Sequence, residues 1–292
     1  MDDKKYYVGI YGTAHETLAC IEDFHGNKIG MGAAGVANIH FSIKHAWENI
    51  LTAVQQALGN IEINTVSLYA GIGIKNTELV ETCQKLFDLN HQFKEIALSS
   101  DAHVLCLGIS HHSTAVIIAD EGLVGNIILD NSLIKVGGWG FPHADVGSIP
   151  WIGLEALQLT LQWIDGYIES SPLIRAIFEY FDENTSKLIT WAMESRNNPK
   201  RYEMIANIVF VFVTKKDKNA LKLIKKSANE IEKIYTQLCK KTNNKNLPCM
   251  IIGPLVDIVH PFLPKSMLKN MIHSRGTALD GAIKLIKLKM GV

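Results

Sequence analysis

The stretch VGGWGFPHADVGSIPWIG, residues 136–153, has the densest concentration of unusual residues in the chain. It holds five glycines, two tryptophans, one histidine and one aspartate, directly before a predicted helix. Glycines let the backbone approach a ligand closely, a tryptophan face stacks on a sugar ring, and a carboxylate accepts hydrogen bonds from hydroxyl groups. This combination suits a carbohydrate pocket, and a tight loop whose tryptophans belong to the core fits it equally well.

Strands precede this stretch and a helix follows it. STAVIIAD (residues 113–120) and VGNIILDNSLIKVGGWG (residues 124–140) predict strands, with a turn at Asp130 and Asn131. The segment WIGLEALQLTLQWIDGYI (residues 151–168) predicts a helix. The glycine-rich stretch therefore connects a predicted strand to a predicted helix.

The first third of the chain has the same order. The predicted strands are YYVGIYG (residues 6–12), TLACIED (17–23), KIGMGAAG (28–35), VSLYAGIGI (66–74) and EIALSS (95–100). Helices are predicted at residues 42–58, with Ser42 as the cap, and at residues 76–87. Two sheet-containing halves of like order indicate a duplicated α/β fold.

The remaining sequence divides into a helical region and a closing segment. Residues 169–247 predict helices almost throughout, LPCMIIGPL (residues 247–255) predicts a buried strand, and residues 276–290 predict a terminal amphipathic helix. The chain has 292 residues, and domains usually hold roughly 100 to 200, so two domains are expected. We predict an N-terminal lobe of residues 1–105 plus 276–292, and a C-terminal lobe of residues 106–275 with a helical insertion at about 169–247.

Composition excludes several classes of function. The 29 basic residues balance the 29 acidic ones, so no overall positive field would attract nucleic acid or an anionic membrane. The longest apolar runs are well short of the roughly 20 residues that span a bilayer, and the N-terminal sequence lacks the pattern of a secretory signal. The five cysteines include no CxxC pair. A cytoplasmic protein with reduced thiols and a neutral small-molecule ligand is therefore expected.

The spacing within residues 136–153 resembles a known family. GGWG, four residues, D-x-G-S and then W-I-G are similar, without a gap, to the GGWG, GDEGS and YWIG segments of the N-acetylglucosamine kinase and BadF/BadG/BcrA/BcrD ATPase family. The resemblance extends to AGVANIH (residues 34–40), SSDAHVLCLG (99–108), ANIVFVFVTKKDKNA (206–220) and the closing helix. It implies a two-lobed actin-like (ribonuclease H-like) ATPase fold with duplicated mixed-sheet α/β domains.

The resemblance also implies roles for individual residues. Asp101 lies where the family has its catalytic base, which takes the proton from the sugar hydroxyl. The positions that hold or border the amino sugar are Asn38, Gly138, Trp139 and Asp145. From the residues alone, Asp101 could instead be the N-cap of a helix that begins AHVLCLGI.

The phosphate-binding segments depart from the family pattern. The first loop, GIYGTAHET (residues 9–17), keeps Gly12 and Thr13 as candidates, but Tyr11 replaces the aspartate that the family has beside magnesium. The second loop falls on Asp120, Glu121 and Gly122, and the adenosine-side motif retains Gly253. Two carboxylates where phosphate should bind repel it by about 1 kcal/mol each in water, and by more when partly buried.

Other candidate sites are weaker. His103, His111 and His112 are close in sequence but lack the carboxylate or cysteine spacing of a metal centre, so no protein-held metal is predicted. No P-loop, GxSxG or HExxH motif occurs. The activator ATPases of the family bind an iron-sulfur cluster through cysteines, and none of the cysteines here lies in such a motif.

Two hypotheses for the function follow. The first is an amino-sugar kinase that uses ATP and Mg²⁺ to phosphorylate N-acetylglucosamine or glucosamine, with the active cleft between the lobes. The second is a non-catalytic sugar-binding sensor or pseudokinase, which has lost nucleotide binding and needs no cofactor. Whether the protein is an enzyme is left open at this point, and the family resemblance leaves room for a homodimer.

Overall fold

The fold is that of a computed structural model, which describes residues 5–12, 16–37, 42–63, 66–74, 92–109, 113–130, 132–274 and 276–292. The chain divides into two compact units. Unit 1 is Met1–Ser113 with Ser274–Val292, and unit 2 is Thr114–His273. None of the helices in the described ranges has the length and apolar character that spanning a lipid bilayer requires.

Unit 1 contains a five-stranded sheet in the order β3-β2-β1-β4-β5. Its strands are β1 (Lys5–Gly12), β2 (Thr17–Asp23), β3 (Lys28–Ala34), β4 (Ser67–Ile74) and β5 (Glu95–Ser100). Its helices are α1 (Ile43–Leu58), α2 (Asp101–Ile109) and α10 (Ala278–Met290). Strands β1 and β2 pair antiparallel, as do β2 and β3, whereas β1, β4 and β5 run parallel.

Both faces of this sheet are covered, which explains why β1 is apolar almost throughout. Val8 and Ile10 of β1 lie in a core cluster with Ile50 of α1, whereas Tyr7 packs with Ile283 of α10 on the opposite face. Successive residues of a strand point to opposite faces, so one strand supplies both cores. The alternation fixes β1 at the centre of the sheet.

Unit 2 repeats this topology around a four-stranded sheet in the order β8-β7-β6-β9. Its strands are β6 (Ala115–Ala119), β7 (Leu123–Leu129), β8 (Ser132–Gly137) and β9 (Cys249–Ile252). Its helices are α3 (Ile149–Ile164), α4 (Pro172–Tyr180), α5 (Thr185–Ser195), α6 (Pro199–Thr214), α7 (Lys218–Lys241), α8 (Val256–Val259) and α9 (Lys265–Leu268). As in unit 1, three antiparallel strands precede the helices, and the strand after them, β9, pairs parallel with the first.

The predicted strands, the Ser42 cap and the helical region are confirmed, and the helix predicted at residues 76–87 lies outside the described residues. The predicted bounds of α3 are wrong at both ends. Its cap is Ser148, whose hydroxyl accepts a hydrogen bond from the Trp151 amide, so the helix begins before Trp151. It ends at Ile164 because Gly166 has a φ of 79°.

Helices α2 and α10 pack against each other without side chains between their backbones. A Cβ on Gly281 of α10 would lie 1.7 Å from the carbonyl oxygen of Val104 and 2.6 Å from the amide nitrogen of Gly108, both in α2. Only glycine fits there, because neither backbone atom can move as a side chain would. This contact holds α2, the helix that follows β5, against the terminal helix.

We expect Gly281→Ala to lower the free energy of unfolding by about 1 to 3 kcal/mol, because the added methyl group forces the two helices apart. Urea denaturation followed by circular dichroism measures this. Leu288→Ala in the same helix is the control, since Leu288 is 58% exposed and its loss should change stability little. Equal stability of the Gly281→Ala variant and the wild type would contradict the close packing.

Candidate active site

Asp101 is the first residue of α2 and follows directly on the last residue of β5. The Ser100 hydroxyl accepts a hydrogen bond from the His103 amide at 3.1 Å, so Ser100 provides the side-chain cap of the helix. The alternative interpretation of Asp101 as the N-cap is therefore wrong. Asp101 instead lies in the first helical turn, where its Oδ1 accepts a hydrogen bond from the Ala102 amide at 2.7 Å.

Tyr11, the residue before the end of β1, is electrostatically coupled to Asp101. Burial raises the pKa of the Tyr11 phenol to about 12, and the negative charge of Asp101 adds to the increase. The phenol is consequently protonated and neutral throughout the physiological pH range. Position 11 thus supplies a hydrogen-bond donor and no anionic oxygen.

Ser99 and His103 form a second polar pair at the same junction. The Ser99 Oγ lies 2.6 Å from the His103 Nδ1, and both residues are half-buried. Burial lowers the pKa of His103, which favours the neutral imidazole. Sequence reasoning considered His103 only as a metal ligand and missed this pairing, because it depends on the turn from β5 into α2.

The remaining candidates of unit 1 are only partly described. Gly12 is the last residue of β1 and is buried. Asn38 and Thr13, as well as His111 and His112, lie outside the described residues. Their assigned roles stay predictions.

The glycine-rich loop of unit 2 begins where β8 ends and presents Trp139 to solvent. Trp139 is 82% exposed, the largest exposed fraction among the large hydrophobic side chains of the described residues. Gly138 before it has a φ of 70°, and a Cβ there would lie 2.8 Å from the Val124 side chain. The structure therefore rules out the interpretation of Trp139 as a core residue. The second tryptophan of the stretch, Trp151, is buried.

The carboxylate of Asp145 closes this loop on itself. Its Oδ1 accepts a hydrogen bond from the Trp139 amide at 3.1 Å, and its Oδ2 accepts one from the Gly140 amide at 3.2 Å. Asp145 itself has a φ of 58°, a conformation that aspartate tolerates better than most residues. Asp145 thereby fixes the backbone on which Trp139 stands.

Burial raises the pKa of Asp145, and four weaker influences oppose it. Hydrogen bonds from the amides of Gly140, Trp139 and Gly138 lower the pKa, as does the charge of Lys135. Because the net direction is upward, the loop does not fully compensate the carboxylate for its loss of solvent. A half-buried carboxylate of this kind gains from further hydrogen-bond donors, such as the hydroxyl groups of a sugar.

Lys135 of β8 also contacts this loop. The sequence analysis did not identify it as a site residue. Its Nζ donates a hydrogen bond to the Gly138 carbonyl oxygen at 2.8 Å and lies 5.3 Å from the centroid of the Trp139 ring. A cation over a tryptophan ring is attracted by the ring's quadrupole. The signal was available in the sequence, since a lysine four residues before an exposed tryptophan can reach it across a turn.

The candidate phosphate residues of unit 2 lie at the carboxyl ends of two parallel strands. Gly122 follows β6, and Gly253, whose φ is 112°, follows β9. The Ala119 carbonyl oxygen at the end of β6 is only 2.4 Å from where a Cβ on Gly253 would lie. The structure thus brings Gly122 and Gly253 to one edge of the sheet, which is where open α/β sheets bind ligands.

The glycine-rich loop meets this edge. A Cβ on Gly122 would lie 3.2 Å from the Asp145 Oδ2, and the Asp120 carbonyl oxygen accepts a hydrogen bond from the Ile149 amide at 3.0 Å. Within unit 2, the residues assigned to the sugar and those assigned to phosphate are therefore neighbours. Sequence reasoning did not anticipate this contact.

The described residues provide no complete metal site of their own. No cluster of three or more histidine, cysteine, aspartate or glutamate side chains in this part of the chain could hold a metal ion. Asp120 and Glu121 are adjacent, half-buried carboxylates at the edge of the sheet. Any cation there would need ligands from a bound molecule in addition to these two.

The chain is similar in sequence to known proteins along most of its length. Residues 8–275 match the family model described as the BadF/BadG/BcrA/BcrD ATPase family. The glucosamine kinase GspK of Vibrio cholerae serotype O1 is 26% identical over 283 residues, which cover 95% of this chain and 94% of that protein. The similarity spans both units.

Solved structures share the fold. The putative N-acetylglucosamine kinase from Chromobacterium violaceum matches with a TM-score of 0.81 and 22% identity, covering 96% of this chain and 98% of that one. The putative N-acetylglucosamine kinase from Porphyromonas gingivalis matches with a TM-score of 0.68 and 14% identity, covering 98% of this chain and 100% of that one. The predicted actin-like α/β fold is confirmed.

We expect Asp145→Ala to release the loop, because the Trp139 and Gly140 amides lose their acceptor and alanine disfavours a positive φ. Hydrogen exchange of these two amides should accelerate by about tenfold. Asp145→Asn, which keeps one acceptor oxygen, should give an intermediate rate. Asp165→Ala at the exposed end of α3 is the control and should leave the exchange rate of both amides unchanged. Unchanged exchange in Asp145→Ala would contradict the clamp, that is, the hold of the Asp145 carboxylate on these two amides.

Proposed function

Because the chain belongs to the BadF/BadG/BcrA/BcrD ATPase family, we propose that it is an amino-sugar kinase. It transfers the γ-phosphoryl group of ATP to a hydroxyl group of an amino sugar such as N-acetylglucosamine or glucosamine. The observation that carries the proposal is the position of Asp101 at the carboxyl end of β5, in a chain similar along 95% of its length to a glucosamine kinase.

Asp101 acts in this proposal as the general base. A carboxylate in the first turn of a helix is stabilised by the positive end of the helix dipole, and it can accept the proton that the sugar hydroxyl loses. The base needs a fixed position, because proton transfer requires a distance of about 3 Å. The cap by Ser100 and the contact of α2 with α10 supply that rigidity.

The glycine-rich loop holds the sugar. The exposed face of Trp139 stacks on the pyranose ring, Gly138 lets the backbone approach it, and Asp145 accepts hydrogen bonds from its hydroxyl groups. The two Asp145 oxygens accept the Trp139 and Gly140 amides, and a carboxylate has about four acceptor positions, so capacity remains for a sugar hydroxyl. Asn38 completes the sugar site on the basis of the family resemblance.

The family resemblance assigns Gly12, Thr13, Gly122 and Gly253 to the nucleotide. Within unit 2, Gly122 and Gly253 follow parallel strands at one end of the sheet, where open α/β sheets bind ligands. Asp120 and Glu121 would hold a Mg²⁺ ion that enters with the phosphates of ATP. When bound, that ion would offset the negative charge of the phosphates and of the two carboxylates.

The proposal also covers the cellular compartment, the oligomeric state and the binding partner. We place the enzyme in the cytoplasm, where ATP is available, and we expect a homodimer, which light scattering would test. The binding partner is a small-molecule amino sugar, and neither nucleic acid nor a membrane is required. The balanced charge of 29 basic and 29 acidic residues supports this view.

We expect the protein to convert glucosamine or N-acetylglucosamine to its phosphate in the presence of ATP and Mg²⁺. Asp101→Asn should lower kcat by about 10²- to 10⁴-fold, the usual contribution of a general base, while calorimetry should show unchanged sugar binding. Asp165→Asn is the matched control and should retain full activity.

One result would reject the kinase, and another would reject only the role of Asp101. If calorimetry shows that the wild type binds an amino sugar but not ATP with Mg²⁺, the protein is a non-catalytic sugar-binding protein. If Asp101→Asn retains full activity, the base lies elsewhere.

A further inference from the structure

Tyr11 lies at the same edge of the unit 1 sheet as Asp101. In the parallel ladders, Tyr11 of β1 is opposite Gly73 of β4, and Gly73 is opposite Ser99 of β5. Asp101 follows two residues after Ser99. Neighbouring strands are about 4.8 Å apart, so β1 and β5 are separated by about 10 Å, and the strand between them has no side chain at this position.

Helix α2 fills the space above Gly73. A Cβ on Gly73 would lie 2.2 Å from the Val104 Cγ2, so this helix rests directly on β4. The Tyr11 ring packs against a cluster that contains Val104 and, at its border, Leu105. These two residues come three and four positions after Asp101, so they share its face of the helix. The Tyr11 ring therefore packs on the same side of the sheet as α2, the helix that begins with Asp101.

Asp101 supplies the charge that acts on the Tyr11 phenol. After burial, the negative charge of Asp101 is the second cause of the raised pKa of Tyr11. On α2, His103 is paired with Ser99, and its lowered pKa favours the neutral form. On α10, Asp280 is bound by Lys28 and by Thr277. Of these described groups on α2 and α10, His103 is thus favoured in its neutral form and Asp280 is paired.

We propose that Tyr11 is a positioning residue for Asp101. Its ring blocks rotation of the carboxylate toward β1, and its phenol presents a neutral donor to that carboxylate or to a hydroxyl group bound between them. The inference deepens the proposed function and rests on it, since it concerns the orientation of the general base.

The first test is a titration that needs no activity. 3-Fluorotyrosine incorporated at position 11 is followed by ¹⁹F NMR in the wild type and in Asp101→Asn, since fluorination brings the titration to a lower pH. We expect the midpoint to shift to lower pH in Asp101→Asn, because the negative charge is removed while burial remains. Asp165→Asn is the control and should leave the midpoint unchanged. An unchanged midpoint in Asp101→Asn overturns the inference.

The second test separates positioning from packing. Tyr11→Phe keeps the ring and loses the hydroxyl, and we expect kcat to fall about tenfold while the KM for ATP stays within about twofold. Tyr7→Phe makes the same change on the same strand, where the ring packs near Tyr69 and α10, and it should leave kcat unchanged. Equal kcat in Tyr11→Phe and the wild type overturns the inference.

The two proposals fail in different ways. If the wild type phosphorylates no amino sugar, the proposed kinase is wrong, and the ¹⁹F titration alone decides whether Tyr11 and Asp101 are coupled. If the wild type is active but neither the midpoint nor kcat responds as expected, the kinase stands and Tyr11 serves only to pack α2 against the sheet.

Discussion

Parallel pairing of the first strand of each unit with the strand after its helical connection is the constraint on which both candidate sites depend. In unit 1 it aligns the ends of β1, β4 and β5, so that Tyr11 and Asp101 come to one edge. In unit 2 it aligns β6 with β9, so that Gly122 and Gly253 do the same. If these strands ran antiparallel, their carboxyl ends would lie at opposite ends of the sheet.

The sequence predicted the elements well and the contacts within the sites less well. Alternating and continuous apolar runs identified each described strand, and Ser42 marked the start of α1. Trp139 and Asp145 were recognised from their spacing. The hydrogen bond between them was not recognised, because it depends on the positive φ of Asp145 and on the backbone conformation from Trp139 to Asp145. The coupling of Tyr11 to Asp101 depends on a register between distant strands, which no local pattern encodes.

Electrostatics distinguishes the two halves of the proposed enzyme. At the edge of unit 1 a neutral phenol stands beside one carboxylate, whereas the edge of unit 2 gathers Asp120, Glu121 and Asp145 near the glycine that would face phosphate. Amide hydrogen bonds and the charge of Lys135 stabilise the Asp145 carboxylate in part, and Asp120 and Glu121 add two further carboxylates at this end of the sheet. The demand for a counterion is therefore greater in unit 2.

The close packing of α10 has a consequence for biosynthesis. Unit 2 is a continuous segment, but unit 1 needs residues 274–292 to cover one face of a sheet whose strands are translated before residue 101. Domains fold as they leave the ribosome, so unit 2 can complete its core while unit 1 still lacks a helix. Until then the side chains of Tyr7, Cys20 and Ala97 lack their apolar partners from α10, and this face of the sheet is exposed to solvent.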